Sequence, residues 1–181
     1  IMYFELLWKC DLTAKPEEMQ SISNITEALK HYRSKKGGSV PGNEHLFDEM
    51  KSDKSFQKYF STSPEGEIIQ EIKKKIEESL KNNGGDIQNS KNERKALQCM
   101  TLGCYCINIE YNHTPVHGDN TVNIRLFGSD KWDFETSENA SWFRNLTHET
   151  IPKLLARYHG QDGVPFDITY DFTLPVVIHV D

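Results

Sequence analysis

The hydrophobic period of this chain changes once, near residue 95, and that change limits the folds open to it. Before it, Ile68, Ile72, Ile76 and Leu80 recur four apart with Ile69 alongside, and polar residues fill the gaps. That is one apolar stripe on a helix. Ser63 reads as its N-cap and Pro64 as its first helical residue. Asn82-Asn83-Gly84-Gly85 closes it. After the change, Tyr105, Ile107, Ile109 and Tyr111 alternate with polar residues, which is the period of a half-buried strand. Helices first and strands second make an α+β chain. The expected layout is N-terminal helices over 1–95, then a small, mainly antiparallel sheet with one short helix over 96–181.

The remaining elements follow from local signals. Lys15-Pro16-Glu17-Glu18 reads as a helix start, with Met19, Ile22, Ile25, Leu29 and Tyr32 as its apolar face and Lys36-Gly37-Gly38 as its stop. A second helix is expected over Glu44 to Tyr59, with a break near Ser52-Asp53. Residues 1–10 suit a strand or a first helical turn. Residues 86–95 read as a linker or loop. A strand over Leu97–Tyr111 and another over Thr121–Phe127 flank a turn at His113–Asn120 and form an antiparallel pair. Thr147-His148-Glu149 opens the short helix, and His159-Gly160 closes it. Val164–Phe172 and Leu174–Val180 are strands, with Pro175 marking an edge or a bulge.

The chain has 181 residues, which suits one domain or two small ones. Its formal net charge is −6 with no basic cluster, a poor match to nucleic-acid binding. Lys73-Lys74-Lys75 is interleaved with glutamates and reads as a solvated face. No apolar run reaches the roughly 18–20 residues of a transmembrane segment. The apolar start, Ile1 to Trp8, lacks the basic flank and cleavage site of a signal peptide. Cys99, Cys104 and Cys106 do not have a zinc spacing. On a strand, Cys104 and Cys106 share one face. One of them can pair with Cys10, or all four can be free thiols.

Chemistry concentrates in the stretch Arg125 to Glu135. Asp130 and Asp133 bracket Trp132, and two carboxylates this close repel unless a cation or a proton intervenes. Mg²⁺ is the usual hard cation, held by one or two carboxylates with water and phosphate. The commoner use of such a stretch is to cap and solvate a turn, with the Asp130 segment read as a loop after the strand. Arg144 follows at a distance that lets it serve the same site, and its planar fork matches phosphate oxygens; a surface ion pair is the other reading. His148, at a helix N-terminus, has its charged form disfavoured and is a base or a cap. His113 and His117 flank a turn and are a metal pair or two solvated side chains. Trp132-Asp133-Phe134 is echoed by Tyr170-Asp171-Phe172, whose carboxylate competes for the role of Asp130. No nucleophile elbow, P-loop, dinucleotide fingerprint or HExxH motif is present.

From Asn108 to Val180 the order of features resembles the activity domain of colicin M, a bacteriocin family that degrades lipid II. Ile124-Arg125 precedes Asp130-Lys131-Trp132-Asp133-Phe134; then come Arg144, Leu154-Leu155-Ala156-Arg157, Gly160 and Leu174-Pro175-Val176-Val177-Ile178-His179. Trp132 stands where the family has Tyr, and Asn139-Ala140 where it has His-Arg. The Phe127 to Glu135 string also resembles toxin domains at the C-termini of Rhs and type VI secretion effectors. The resemblance implies a secreted antibacterial toxin acting in the periplasm of target bacteria. Its substrate would be lipid II or another polyprenyl phosphate, its cofactor Mg²⁺, and its protein partner a cognate immunity protein. Asp130 would be the essential carboxylate and metal ligand, Asp133 its support, Arg144 the phosphate neutraliser and His148 an added base, with Lys131 and Trp132 contacting substrate. The alternative is a non-enzymatic toxin-binding immunity or adaptor protein, or an interaction domain of a larger secreted effector. A net charge of −6 fits a basic partner.

Overall fold

The computed structural model describes residues 15–89, 93–132 and 163–181. Four helices precede most of the sheet: α1 (Ile25–Ser34), α2 (Glu44–Ser52), α3 (Lys54–Phe60) and α4 (Glu67–Lys81). The strands are β1 (Ser39–Pro41), β2 (Ile87–Gln88), β3 (Glu93–Cys99), β4 (Gly103–Glu110), β5 (Asn112–His113), β6 (Gly118–Trp132) and β7 (Phe166–Val180). Five strands form one sheet in the order β1-β7-β6-β4-β3, antiparallel except for the β1–β7 pair, and β2 pairs with β5. The α+β class expected from the change of period is the class observed. No helix among the described residues is long and apolar enough to cross a membrane.

The centre of the sheet is the β6–β7 ladder, in register from Gly118–Val180 to Trp132–Phe166 without a bulge. Alternation sends even-numbered residues of both strands inward. Val122, Ile124, Leu126 and Trp132 from β6 join Phe166, Ile168, Tyr170, Val176 and Ile178 from β7 in the core. The helices cover this face. Ile68, Ile69, Ile72 and Ile76 of α4 are buried, and Phe47 of α2 stacks on Phe172 at 4.5 Å. One apolar cluster contains residues from the helical half and from the sheet.

Several boundaries differ from the sequence reading. The first helix begins at Ile25, not near Lys15: Asn24 Oδ1 accepts from the N–H of Glu27 at 3.0 Å, and Glu27 Oε2 accepts from the N–H of Ser23 at 2.7 Å. The Asn24 cap, with Glu27 reaching back to the residue before it, defines a helix start. It frees Ile22 to extend beside β1, where its N–H donates to Pro41 O at 2.9 Å. The helix of the isoleucine stripe starts after Gly66, while Ser63-Pro64 lies in the preceding turn. A Cβ on Gly66 would sit 2.5 Å from the Tyr59 carbonyl oxygen, so the tight entry requires glycine. The expected break at Ser52-Asp53 is present, and Asp53 caps α3 by accepting from Ser55 N at 2.8 Å. The expected linker at 86–95 contains β2 and the start of β3, and the single strand expected over Leu97–Tyr111 is two, β3 and β4, folded back on each other by a turn at 100–102. Pro175 does not divide the last strand, which runs unbroken to Val180. The readings of residues 1–10 and of the helix opened by Thr147 fall outside the described residues. The lysine run is the solvated face expected, with Lys73 on Glu65, Lys74 on Glu78 and Lys75 on Glu71 at 3.0, 3.9 and 3.6 Å.

Candidate functional site

Asp130, Lys131 and Trp132 are not in a loop. They are the last residues of β6, paired with Ile168, Asp167 and Phe166. Expectation and structure differ because Phe127-Gly128-Ser129 reads as the end of a strand, whereas β7 continues to pair past it. Strand geometry then assigns each side chain a face. Trp132 is buried, packed edge-on to Tyr32 at 5.8 Å, and its Nε1 donates to Thr101 O at 2.8 Å. Lys131 is exposed on the other face.

Asp130 falls on the inward row and is half-buried. Of the inward positions of β6 and β7 it is the only one with an ionisable carboxylate or cation; the rest are apolar, glycine, Tyr170 or Asn120. A carboxylate on such a row is costly unless it is paired or used in chemistry. Its surroundings are specific. Gly128, two residues earlier on the same row, has no side chain, and the ring of Tyr170 lies over it. The Tyr170 hydroxyl donates to the Cys106 carbonyl at 2.6 Å. Burial first, and then the charge of Asp130, hold the Tyr170 phenol well above its ordinary range. Burial likewise raises the Cys106 thiol, with the carboxylates of Glu93 and Asp130 adding to it. Asp130 therefore faces a phenol that keeps its proton. The β4–β6 ladder runs only from Asn108–Phe127 to Glu110–Arg125, so this end of β6 lies beyond its pairing with β4.

The opposite face carries a second polar group. Arg125 grips Asp171 through two bonds, Nε–Oδ1 at 3.0 Å and Nη2–Oδ2 at 2.9 Å, and Nη1 reaches Glu110 at 3.0 Å. Its guanidinium lies 4.2 Å from the Phe127 ring centre. The hydrogen bonds from Arg125 hold the Asp171 carboxyl below its usual range. The Tyr170-Asp171 copy thus divides its two polar residues between the faces, and its carboxylate belongs to an ion pair. Sequence reasoning placed Arg125 only as a residue before the motif; its role as the centre of a cross-strand clamp depends on the register of three strands.

Asp133, Arg144 and His148 lie outside the described residues, as does Cys10. His113 and His117 have separate partners: His113 Nε2 bonds Asn120 Oδ1 at 2.8 Å, and His117 Nδ1 accompanies Asp181 O at 3.3 Å. Cys104 and Cys106 share the outward face of β4, and Cys99, on β3, is buried. Among the described residues no group of three or more His, Cys, Asp or Glu is arranged to hold a metal ion. Asp130 alone offers one hard ligand, so the described residues do not make up a Mg²⁺ centre by themselves. No protein-family model matches the chain, and no curated protein matches it either.

Proposed function

We propose that the chain is an antibacterial toxin domain that hydrolyses lipid II, or a related polyprenyl phosphate, at a site built on Asp130. The observation that carries this reading is the half-buried carboxylate of Asp130, the one ionisable carboxylate or cation on the inward rows of β6 and β7. It sits where β6 leads into the segment that contains Asp133, Arg144 and His148. The resemblance to the colicin M activity domain supplies the substrate class. In the reaction, water adds across the bond between the undecaprenyl carbon and the pyrophosphate. The products are undecaprenol and a pyrophosphorylated sugar-peptide. Asp130 would accept the proton of the attacking water, and Arg144 would neutralise charge on the phosphate. Mg²⁺ belongs to the proposal through the resemblance, and no step above depends on it.

The test is incubation of the purified chain with lipid II, with Mg²⁺ and with EDTA, followed by mass spectrometry of the products. Release of undecaprenol by the wild type and its loss in a folded Asp130→Asn variant is the expected result. Intact lipid II with a folded wild-type protein overturns it. The rival reading, a harmless binding or immunity protein, is separated by expression: a lipid II hydrolase lyses cells when exported to the periplasm, and a binding protein does not.

A further inference from the structure

We infer that the free edge of β7, with the groove between it and α4, is a docking site for an extended, basic peptide segment of a partner protein, bound by strand addition. The β1 contact fixes which residues of β7 face this edge. Asp167 N–H donates to Gly38 O at 2.9 Å, and Thr169 O accepts from Gly42 N–H at 2.7 Å. Both are odd-numbered, and backbone direction alternates along a strand, so Asp171, Thr173, Pro175, Val177 and His179 point the same way. Beyond Gly42 the chain turns away into α2. Among the described residues no strand lies beside β7 from Asp171 to Val180.

A row of unpaired N–H and C=O groups is a template for another strand. Pro175 contributes no N–H, and the N–H it lacks is one that would face this edge, so it interrupts the template and leaves Val177 and His179 as the donors near the end. There the edge borders a groove of about 550 Å³, with Glu65, Ile69, Lys73 and Glu77 on the helix side and Val177 to Asp181 on the strand side. The combination of a sheet edge with a helix wall suits an extended chain rather than a globular surface.

Charge selects the occupant. The groove's lysine is already held, with Lys73 Nζ 3.0 Å from Glu65. His179 stands between Asp119 at 2.8 Å and Asp181 at 3.5 Å. Glu77 and Asp181 leave an acidic excess that favours Lys or Arg side chains. A second copy of the chain carries a net charge of −6 and is repelled by the first. The surface is separate from the proposed hydrolytic site: Asp130 pairs with Ile168, and the twelve residues from there to Val180 span about 40 Å along the strand.

The experiment is fluorescence polarisation of the full chain with a labelled octapeptide of alternating lysine and valine. The same peptide N-methylated at alternate amides and a glutamate-for-lysine counterpart serve as controls. The lysine peptide is expected to bind saturably. N-methylation, glutamate substitution and Val177→Pro should each weaken binding by about tenfold or more, and Glu77→Lys by a smaller factor. The methylated peptide tests strand addition without altering the protein. Equal affinity for the methylated or acidic peptide overturns the proposal, as does absence of binding by the lysine peptide. Self-association in sedimentation velocity that Val177→Pro abolishes would assign the edge to a second copy and overturn it too.

Discussion

The hydroxyl of Tyr170 on β7 reaches the carbonyl of Cys106 on β4 at 2.6 Å, crossing the intervening strand β6 where Gly128 leaves room for its ring. A Cβ at Gly128 would meet Tyr170 Cε2 at 2.8 Å and its hydroxyl at 3.1 Å. Gly128→Val is therefore expected to destabilise the fold by about 1–3 kcal/mol, the range for overpacking. Tyr170→Phe keeps the ring and loses one hydrogen bond, costing about 1 kcal/mol. In a Tyr170→Ala background the Gly128→Val penalty should shrink. Urea unfolding of the wild type, Gly128→Val, Tyr170→Ala and the double variant measures the coupling.

The indole N–H of Trp132 satisfies the Thr101 carbonyl in a buried setting. Trp132→Phe retains most of the packing but orphans that acceptor, and should cost about 1–3 kcal/mol. A drop in the urea midpoint with an unchanged slope is the expected readout.

Replacing Asp130 by Asn or Ala should abolish lipid II hydrolysis and killing while the circular dichroism spectrum is unchanged. Loss of activity together with loss of folding would assign Asp130 a structural role instead.

The contact of His179 with Asp119 is an ion pair only when the ring is protonated. The hydrogen bond to Asp119 raises its pKa above the ordinary 6.5, with the charges of Asp119 and Asp181 assisting. A raised folded-state value means that the stabilisation is fully present below 6.5 and fades as pH rises through the folded-state pKa. The group is fully exposed, so the effect belongs in its titration rather than in global stability. Proton NMR should place the His179 midpoint above 6.5, and Asp119→Asn should lower it.

Ile72, at 0 % exposure on α4, sits in the middle of the isoleucine stripe. Ile72→Ala should cost about 2–5 kcal/mol, visible as a lower thermal midpoint.

The stripe was the most legible part of the chain because four residues at one spacing leave a single face to bury. Pro175 was legible for a related reason: a missing N–H can be tolerated only where no partner strand needs it, and the side of β7 that no described strand pairs is such a place. The start of α1 was missed because Lys15-Pro16 resembles a helix entry more than Asn24 does, although Asn24 and Glu27 carry the capping signature in plain sight. The first half of β3 was hidden because Glu93-Arg94-Lys95 are charged on an edge strand and the register shift between Arg94 and Leu97 breaks the alternation. The site was half legible. Asp130 stood out by its residue type, but its inward direction is set by a ladder whose register is determined by residues of β7. Arg125 gave no local sign, since its partners Glu110 and Asp171 arrive from two other strands.

The ladder between β6 and β7 also governs how the chain can reach its fold. Even its nearest pair, Trp132 with Phe166, encloses every residue from 133 to 165, and its farthest, Gly118 with Val180, encloses far more. None of its pairings is available to a short hairpin closure. The helices and the β3–β4 turn need only neighbouring residues and can form early. The central strands must wait for a long loop to close, which places this chain among the slow folders of its size. During that wait β6 has only its short pairing with β4, and the inward row that ends in Asp130 and Trp132 is exposed to other chains until β7 arrives.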